Sequence, residues 1–343
     1  MFIGSHLWNR RTKALLKVLL SVLILFWLLR TVHLSDILSA VRSASGGLLA
    51  LAVLCQVASN WLAGFRWYLT MDILDMQAPP SFFVRSFFKG TFFNQILPGS
   101  IGGDGVRMLD LKTGGHASSD AVEGVIIDRG IGLLSLLVLC LSGTFLGTDL
   151  LPPAVFRGIR VLCISGIFCF LLLAILCRVP ILRKLRWISF LTRISEKIWR
   201  VFSAGRRTGV ILSFSVIVHI LAIFSIYFIS QSIEQNLGLL IFVVIFPSVV
   251  LLTVIPVSFA GWGVREGAMV GLFMSAGADK APILLISILY GLAVMVASFP
   301  GLFFWLTKQK DQSSGKIRFF LNKKVASSDM TPGFGSGETN DME

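Results

Sequence analysis

Charge is scarce in this chain. Asp, Glu, Lys and Arg together make 14% of its 343 residues, and acids are the rarer sign, 18 against 31 bases. Beside 55% hydrophobic residues and a mean hydropathy of +0.82, that scarcity excludes an ordinary soluble domain. The apolar runs lack period-two alternation, which excludes an outer-membrane barrel. Cys55, Cys140, Cys163, Cys169 and Cys177 all lie in apolar runs without paired spacing. Neither a disulfide framework nor a metal site is expected from them, and nothing in the chain requires a cofactor.

What the chain does hold is several runs long enough to cross a bilayer, with its bases gathered in loops and tails beside them. The net charge of +13 therefore reflects membrane topology and needs no nucleic-acid partner. Arg10, Arg11, Lys13 and Lys17 precede a first run ending near Leu29, read as an uncleaved span with a cytoplasmic N-terminus. A second run, from Gly46 to Phe65, closes on Trp61, Arg66, Trp67 and Tyr68, a cluster that reads as an interfacial belt. Further runs cover 121–147, 158–177, 209–230 and 281–306. Between Arg178 and Arg207 nine bases face one acid, Glu196, the strongest cytoplasmic marker in the sequence. The expected division is a cytoplasmic N-terminus at 1–13, a membrane domain at 14–307 with its basic loop at 178–207, and a cytoplasmic tail at 308–343, basic and then disordered.

Two short stretches interrupt this pattern. Leu97 to Arg107 reads LPGSIGGDGVR and Ile255 to Arg265 reads IPVSFAGWGVR, identical at six of eleven positions without a gap. The matches are helix breakers, a hydroxyl and an arginine, so the chain is read as an internal repeat. The apolar segment before the first motif, 82–97, is short, and only polar sequence follows it to residue 120. Each motif is therefore expected to enter and leave the membrane on one side. With the N-terminus, the basic loop and the tail all cytoplasmic, the clear runs give even crossing counts, and the motifs enter from opposite sides. The fold class expected is an all-α polytopic membrane protein with about six full spans and two opposed Pro/Gly-interrupted, re-entrant hairpins in an inverted repeat.

Exposed backbone N–H groups at a helix start, with an arginine beside them, suit a phosphate or carboxylate. The headgroup candidates are Asn94, Pro98, Ser100, Gly102, Gly103, Gly105 and Arg107 in the first motif, and Ser258, Gly261, Gly263, Arg265 and Glu266 in the second. The competing reading is that the glycines only permit close packing and the arginines satisfy acids inside the protein. Secondary candidates are Arg85 and Lys89, one turn apart as a basic stripe, and Glu123, Asp128 and Arg129 near the start of the run at 121–147. Adjacent helical positions point about 100° apart, so Arg265 and Glu266 are expected to find partners on other helices. Asp104 is expected to cap a helix, and His219 to be a hydrogen-bonded packing residue. No catalytic residue is expected.

The stretches NQILPGSIGGDGVR at 94–107 and IPVSFAGWGVRE at 255–266 resemble, in order and separation, those of the lysylphosphatidylglycerol synthase transmembrane-domain family, or flippase-like domains. The likeness extends over 14–307. In two-domain relatives this part is assigned lipid translocation and a separate domain the aminoacylation. Only 36 residues, 308–343, follow the last run, so the resemblance implies a stand-alone translocator of the bacterial inner membrane, with anionic or lipid-linked membrane lipids and envelope-biosynthesis proteins as partners. A membrane-embedded glycosyltransferase is the alternative from another class, but the first exterior loop offers only Asp36, not an acidic pair. The other is a non-catalytic partner in an envelope glycolipid or hopanoid pathway. Neither the lipid nor the oligomeric state can be read from the sequence.

The topology makes a direct expectation. In a cysteine-free background, a membrane-impermeant thiol reagent added outside should label Gln235→Cys in the 231–237 loop and leave Ser189→Cys unmodified. Labelling at position 189 would invert the scheme.

Overall fold

The computed structural model describes residues 42–96, 101–178, 189–254 and 262–307. The first expected span, the start of the basic loop, the tail and the motif residues Pro98, Ser100, Ser258 and Gly261 lie outside the described residues. Among the described residues there are ten α-helices and no strands. They are α1 Gly46–Ile73, α2 Pro80–Ile96, α3 Ile101–Thr113, α4 Ser118–Leu146, α5 Pro153–Ile175, α6 Ser189–Phe202, α7 Arg206–Ser232, α8 Leu239–Thr253, α9 Val264–Ser275 and α10 Lys280–Ser298. Five stretches are long and apolar enough to cross a membrane: α1, α4, α5, α7 and Lys280–Thr307. Residues from Phe303 onward belong to a second compact unit, and the packing below is that of the first.

The order of elements repeats. Pro98 and Pro256 lie 158 positions apart, and Gly46–Ile73 shifted by that interval would cover 204–231, where α7 runs from Arg206 to Ser232. The short pair α2 and α3 and the long helix α4 recur in the same way as α8, α9 and α10. Even the turns recur. α1 and α7 are each followed by an acidic residue at positive φ, Asp75 at 60° and Glu234 at 58°, and α3 and α9 by Gly115 and Gly277 at 97° and 85°.

The counterparts α1 and α7 pack side by side and run antiparallel. The Ser45 N–H donates to the Ser232 carbonyl at 2.8 Å, Ser59 Oγ to the Val218 carbonyl at 3.2 Å, Arg66 to Ser215 Oγ at 3.2 Å and Arg207 to Asp72 at 3.1 Å. The other principal contacts among these eight helices come in matched pairs. α1 packs on α10 as α7 packs on α4; α2 packs on α10 as α8 packs on α4; α1 and α4 touch as do α7 and α10. Each half has its own apolar core, around Trp67, Met71, Phe83 and Ile131 in the first and Phe242, Phe246, Phe273 and Ile286 in the second.

α2 and α3 form a tight antiparallel hairpin. Asn94 Oδ1 accepts the Gly103 N–H at 2.8 Å, and Gly90 crosses Gly103 so closely that a Cβ on Gly103 would collide with the Gly90 carbonyl. Lys89, expected in a basic stripe with Arg85, instead turns inward to an ion pair with Asp110, while Arg85 stays exposed. The stripe is split because Asp110, on the facing helix, gives the buried ammonium a counter-charge.

The expected interfacial belt after Phe65 is also corrected. α1 continues to Ile73, and Arg66 and Trp67 are 6% and 0% exposed. Only Trp61 keeps an outward ring. A helix does not stop at an arginine whose charge is met inside the protein, and Arg66 meets Asp128 there.

α5 and α6 stand outside the repeat. α5 packs on α4 with one edge and leaves Val161, Ile164, Phe168 and Leu171 exposed. α6 is amphipathic, burying Ile194, Ile198 and Val201. Its bases meet acids at the ends of α1 and α4: Arg193 with Glu123 at 2.8 Å, Lys197 with Asp120 and Glu123 at 2.6 and 2.7 Å, and Arg200 with Asp75 at 2.7 Å. Burial pulls the Lys197 pKa down, but the hydrogen bonds to Asp120 and Glu123 more than offset it, so it lies above the usual lysine value.

The glycines of the first motif should divide on substitution. Gly103→Ala must push two helix backbones apart and should cost about 1–3 kcal/mol, read as a lowered melting temperature in detergent. Gly105→Ala, with nothing within 4 Å of the added Cβ, should leave the melting temperature at or above that of the parent.

Candidate functional site

The first motif's arginine ends in a buried charge cluster. Arg107, 4% exposed, donates from Nη2 to Asp128 Oδ2 at 2.5 Å. Arg66 approaches the same carboxylate from α1, Nε to Oδ1 at 3.1 Å, and its Nη1 reaches Ser215 of α7. Asp128, 1% exposed, is thus clamped between two guanidiniums. The Arg107 guanidinium lies over Trp67, 4.0 Å from the ring centroid, and over Phe87 at 5.0 Å. Its Nε has no hydrogen-bond partner among the described residues.

Asp104 is not a cap. It sits in the first turn of α3, where its carboxylate meets Arg107 at 3.5 Å and pairs with Arg129 of α4. Two arginines within reach outcompete the helix-end N–H groups for that charge. Glu123, near Asp128 in sequence, faces the other way, toward Arg193 and Lys197 on α6.

Arg66, Asn94, Asp104, Arg107, Asp128 and Arg129 line one cavity of about 370 Å³, walled by Phe87, Leu133, Val250 and Val254. Among the described lining residues three guanidiniums face two carboxylates, an excess of one base over acids. His219 borders it, held by a 3.0 Å bond between Nε2 and the Gly132 carbonyl, as a packing histidine would be. Asp128 lies ten residues into α4, about 15 Å along the helix. The cluster therefore lies within the helix bundle, about a third of the way along this 29-residue helix.

The second motif solves the same problem locally. Arg265 and Glu266, expected to seek other helices, pair with each other at 2.5 Å. Glu266 curls back so that Oε2 accepts the Gly263 N–H at 2.6 Å, and this places Oε1 within reach of the long Arg265 side chain. In a first turn that reach defeats the angular separation of adjacent positions. Ser287 on α10 donates to Glu266 Oε1 at 3.3 Å and accepts from Arg265 Nε at 3.4 Å. Trp262, at the position matching Asp104, lies 4.8 Å from Arg265, and Tyr290, which accepts from Gln56, lies at 5.7 Å. Gly263 takes φ 84°, which favours glycine there.

A smaller cavity of about 150 Å³ adjoins this site, lined by Gln95, Phe246, Thr253, Arg265 and Tyr290, and it shares Val250 with the first. Among the described candidates, Asn94, Arg107, Asp128 and Arg129 line the first cavity and Arg265 the second, while Gly103, bonded to Asn94, and the bonded pair Gly263 and Glu266 stand outside the linings. Gly102 and Gly105 lie on α3 but outside both linings. The sequence reading missed Arg66, Asp110, Ser287 and Tyr290. A signal existed only for Arg66, an arginine followed by a further apolar turn, LTMDIL, that a helix end would not need.

Helical spans packed around interrupted short helices, with an arginine-bearing cavity at each interruption, define a polytopic membrane protein whose polar sites lie within the bundle. The chain belongs to the family of the lysylphosphatidylglycerol synthase TM region, whose family model matches residues 14–301. Comparison with curated proteins gives no match.

Asp128 balances two buried guanidiniums, so Asp128→Asn should cost about 3–5 kcal/mol of stability. Arg129→Gln removes a base that is 41% exposed and should cost less than about 1 kcal/mol. Thermal unfolding of the two purified variants measures the contrast, and equal shifts would deny the cluster its structural weight.

Proposed function

We propose that the protein binds the anionic headgroup of a lipid or lipid-linked envelope precursor in the first cavity and moves it between leaflets. One observation carries this reading: among the described residues the cavity wall holds three guanidiniums against two carboxylates, within the helix bundle and beside an apolar wall. Positive charge in excess of the acids beside an apolar wall favours an anion there, and a phosphate would neutralise it. The cavity's volume, about 370 Å³, lies within the range of small-molecule sites. Asp104 and Asp128 are both held in ion pairs, which suits fixed electrostatics better than proton transfer.

The path to the other leaflet runs through the second cavity. Asn94 lines the first and Gln95 the second, and Val250 separates them. The antiparallel α1 and α7 and the matched helix contacts support an inverted repeat, with α2–α3 and α8–α9 as re-entrant hairpins entering from opposite sides of an inner membrane. In that arrangement the two motif arginines serve one headgroup in turn, from opposite leaflets.

A guanidinium offers a planar fork of donors that an ammonium lacks. Arg107→Lys should therefore keep the fold, by melting temperature, yet bind anionic lipid and scramble it in liposomes roughly tenfold less well. Parental rates in folded Arg107→Lys protein would sink headgroup recognition by this residue.

A further inference from the structure

A second cluster of arginines lies at the far end of the molecule from the basic loop. Arg157 and Arg160 are three residues apart on α5, so they share a face. They line a cavity of about 400 Å³ with Thr148, Pro153, Phe156, Val161 and Ile164, and among the described residues no carboxylate is part of that lining, the nearest in sequence being Asp149, which accepts from Thr148 Oγ1 at 3.5 Å. Thr144, to which Arg160 is bonded, is sixteen residues beyond Asp128 on α4, about 24 Å away along the helix.

The two arginines are held differently. Arg160 donates from Nε to Thr144 Oγ1 at 3.1 Å and from Nη2 to the Thr144 carbonyl at 2.8 Å, and its guanidinium lies near the Phe145 and Phe156 rings at 4.8 and 5.8 Å. That fixes its plane and leaves Nη1 unengaged among the described residues. Arg157 is exposed and makes no ion pair or hydrogen bond with them. Basic residues are depleted on the exterior side of membrane proteins, so two on one helix face at this end of a span are unusual there.

We infer that this cavity is a separate binding site for the phosphate of an anionic phospholipid in the leaflet opposite the basic loop. Depth supports a lipid as the source of that phosphate. Arg157 is four residues inside the start of α5, about 6 Å from its end, which is headgroup level for a helix of this length. Below the arginines, Val161, Ile164, Phe168 and Leu171 continue an exposed apolar face toward the membrane centre. A phosphate bound between the guanidiniums would lay its acyl chains along that face. A soluble phosphate would gain nothing from it.

The site is independent of the first cavity, and its test separates the two. Full-length protein is titrated with phosphatidylglycerol, phosphatidylcholine or inorganic phosphate, and bound lipids are counted by native mass spectrometry. Arg157→Gln and Arg157→Gln/Arg160→Gln are compared with the parent and with Arg107→Lys. The expected result is that, of the phosphatidylglycerols bound, one loses about tenfold in affinity in the double variant and part of that in Arg157→Gln, while Arg107→Lys keeps that one and weakens only the lipid of the first cavity. Phosphatidylcholine should bind the parent and the double variant alike. Unchanged phosphatidylglycerol occupancy in Arg157→Gln, which alters only an exposed side chain, would overturn the site. So would inorganic phosphate displacing the lipid at matching concentration.

Discussion

The first half of the bundle depends on a single carboxylate. Asp128 accepts from Arg66 and Arg107 at once, and through them α4 is tied to α1 and α3, with Ser215 of α7 bound to Arg66. Buried ion pairs add little net stability over apolar packing, because desolvation consumes most of the attraction. Their effect is on geometry. A displaced helix would strand a charge in a low-dielectric interior, so the four helices around the first cavity are held to one register. Trp67 and Phe87 exclude water from the Arg107 guanidinium and strengthen every interaction it makes.

The second half meets the same arginine with a different solution. Arg265 is neutralised within its own helical turn by Glu266, and the serine on α10 adds only neutral hydrogen bonds. The first site therefore spans four helices and the second is nearly self-contained. Relative movement of α1 and α3 would change the charge geometry of the first cavity directly, while the Arg265–Glu266 pair would ride along with α9. The larger cavity, with its surplus charge, lies at the motif whose counter-ions come from other helices.

The helical class, five of the expected spans and the repeated motif were legible because hydropathy and helix breakers act locally. Side-chain partners were harder to read, and the reasons differ by residue. Arg66 looked like a belt residue since Trp67 and Tyr68 flank it, and nothing local says that Asp128 waits 62 positions away. Lys89 and Arg85 share a helical face, yet Asp110 on a facing helix takes only one of them. The Arg265–Glu266 pairing broke an angular rule that holds for short side chains and fails for a long one in a first turn. Asp104 was read as a cap from its place beside glycines, before the two arginines that claim it were visible.

The shortage of acids acquires a structural meaning here. At least eight of the twelve acidic side chains among the described residues sit in ion pairs with Lys or Arg. They are placed where a base would otherwise be stranded: between α1 and α4, between α2 and α3, and under α6. If the proposed lipid binding holds, the excess of 31 bases over 18 acids finds part of its counter-charge in lipid phosphates. On that reading the two arginine-lined cavities, one beside Asp128 and the other beside Arg160, bonded to Thr144 near the end of α4, are where a lipid headgroup would gain most by entering.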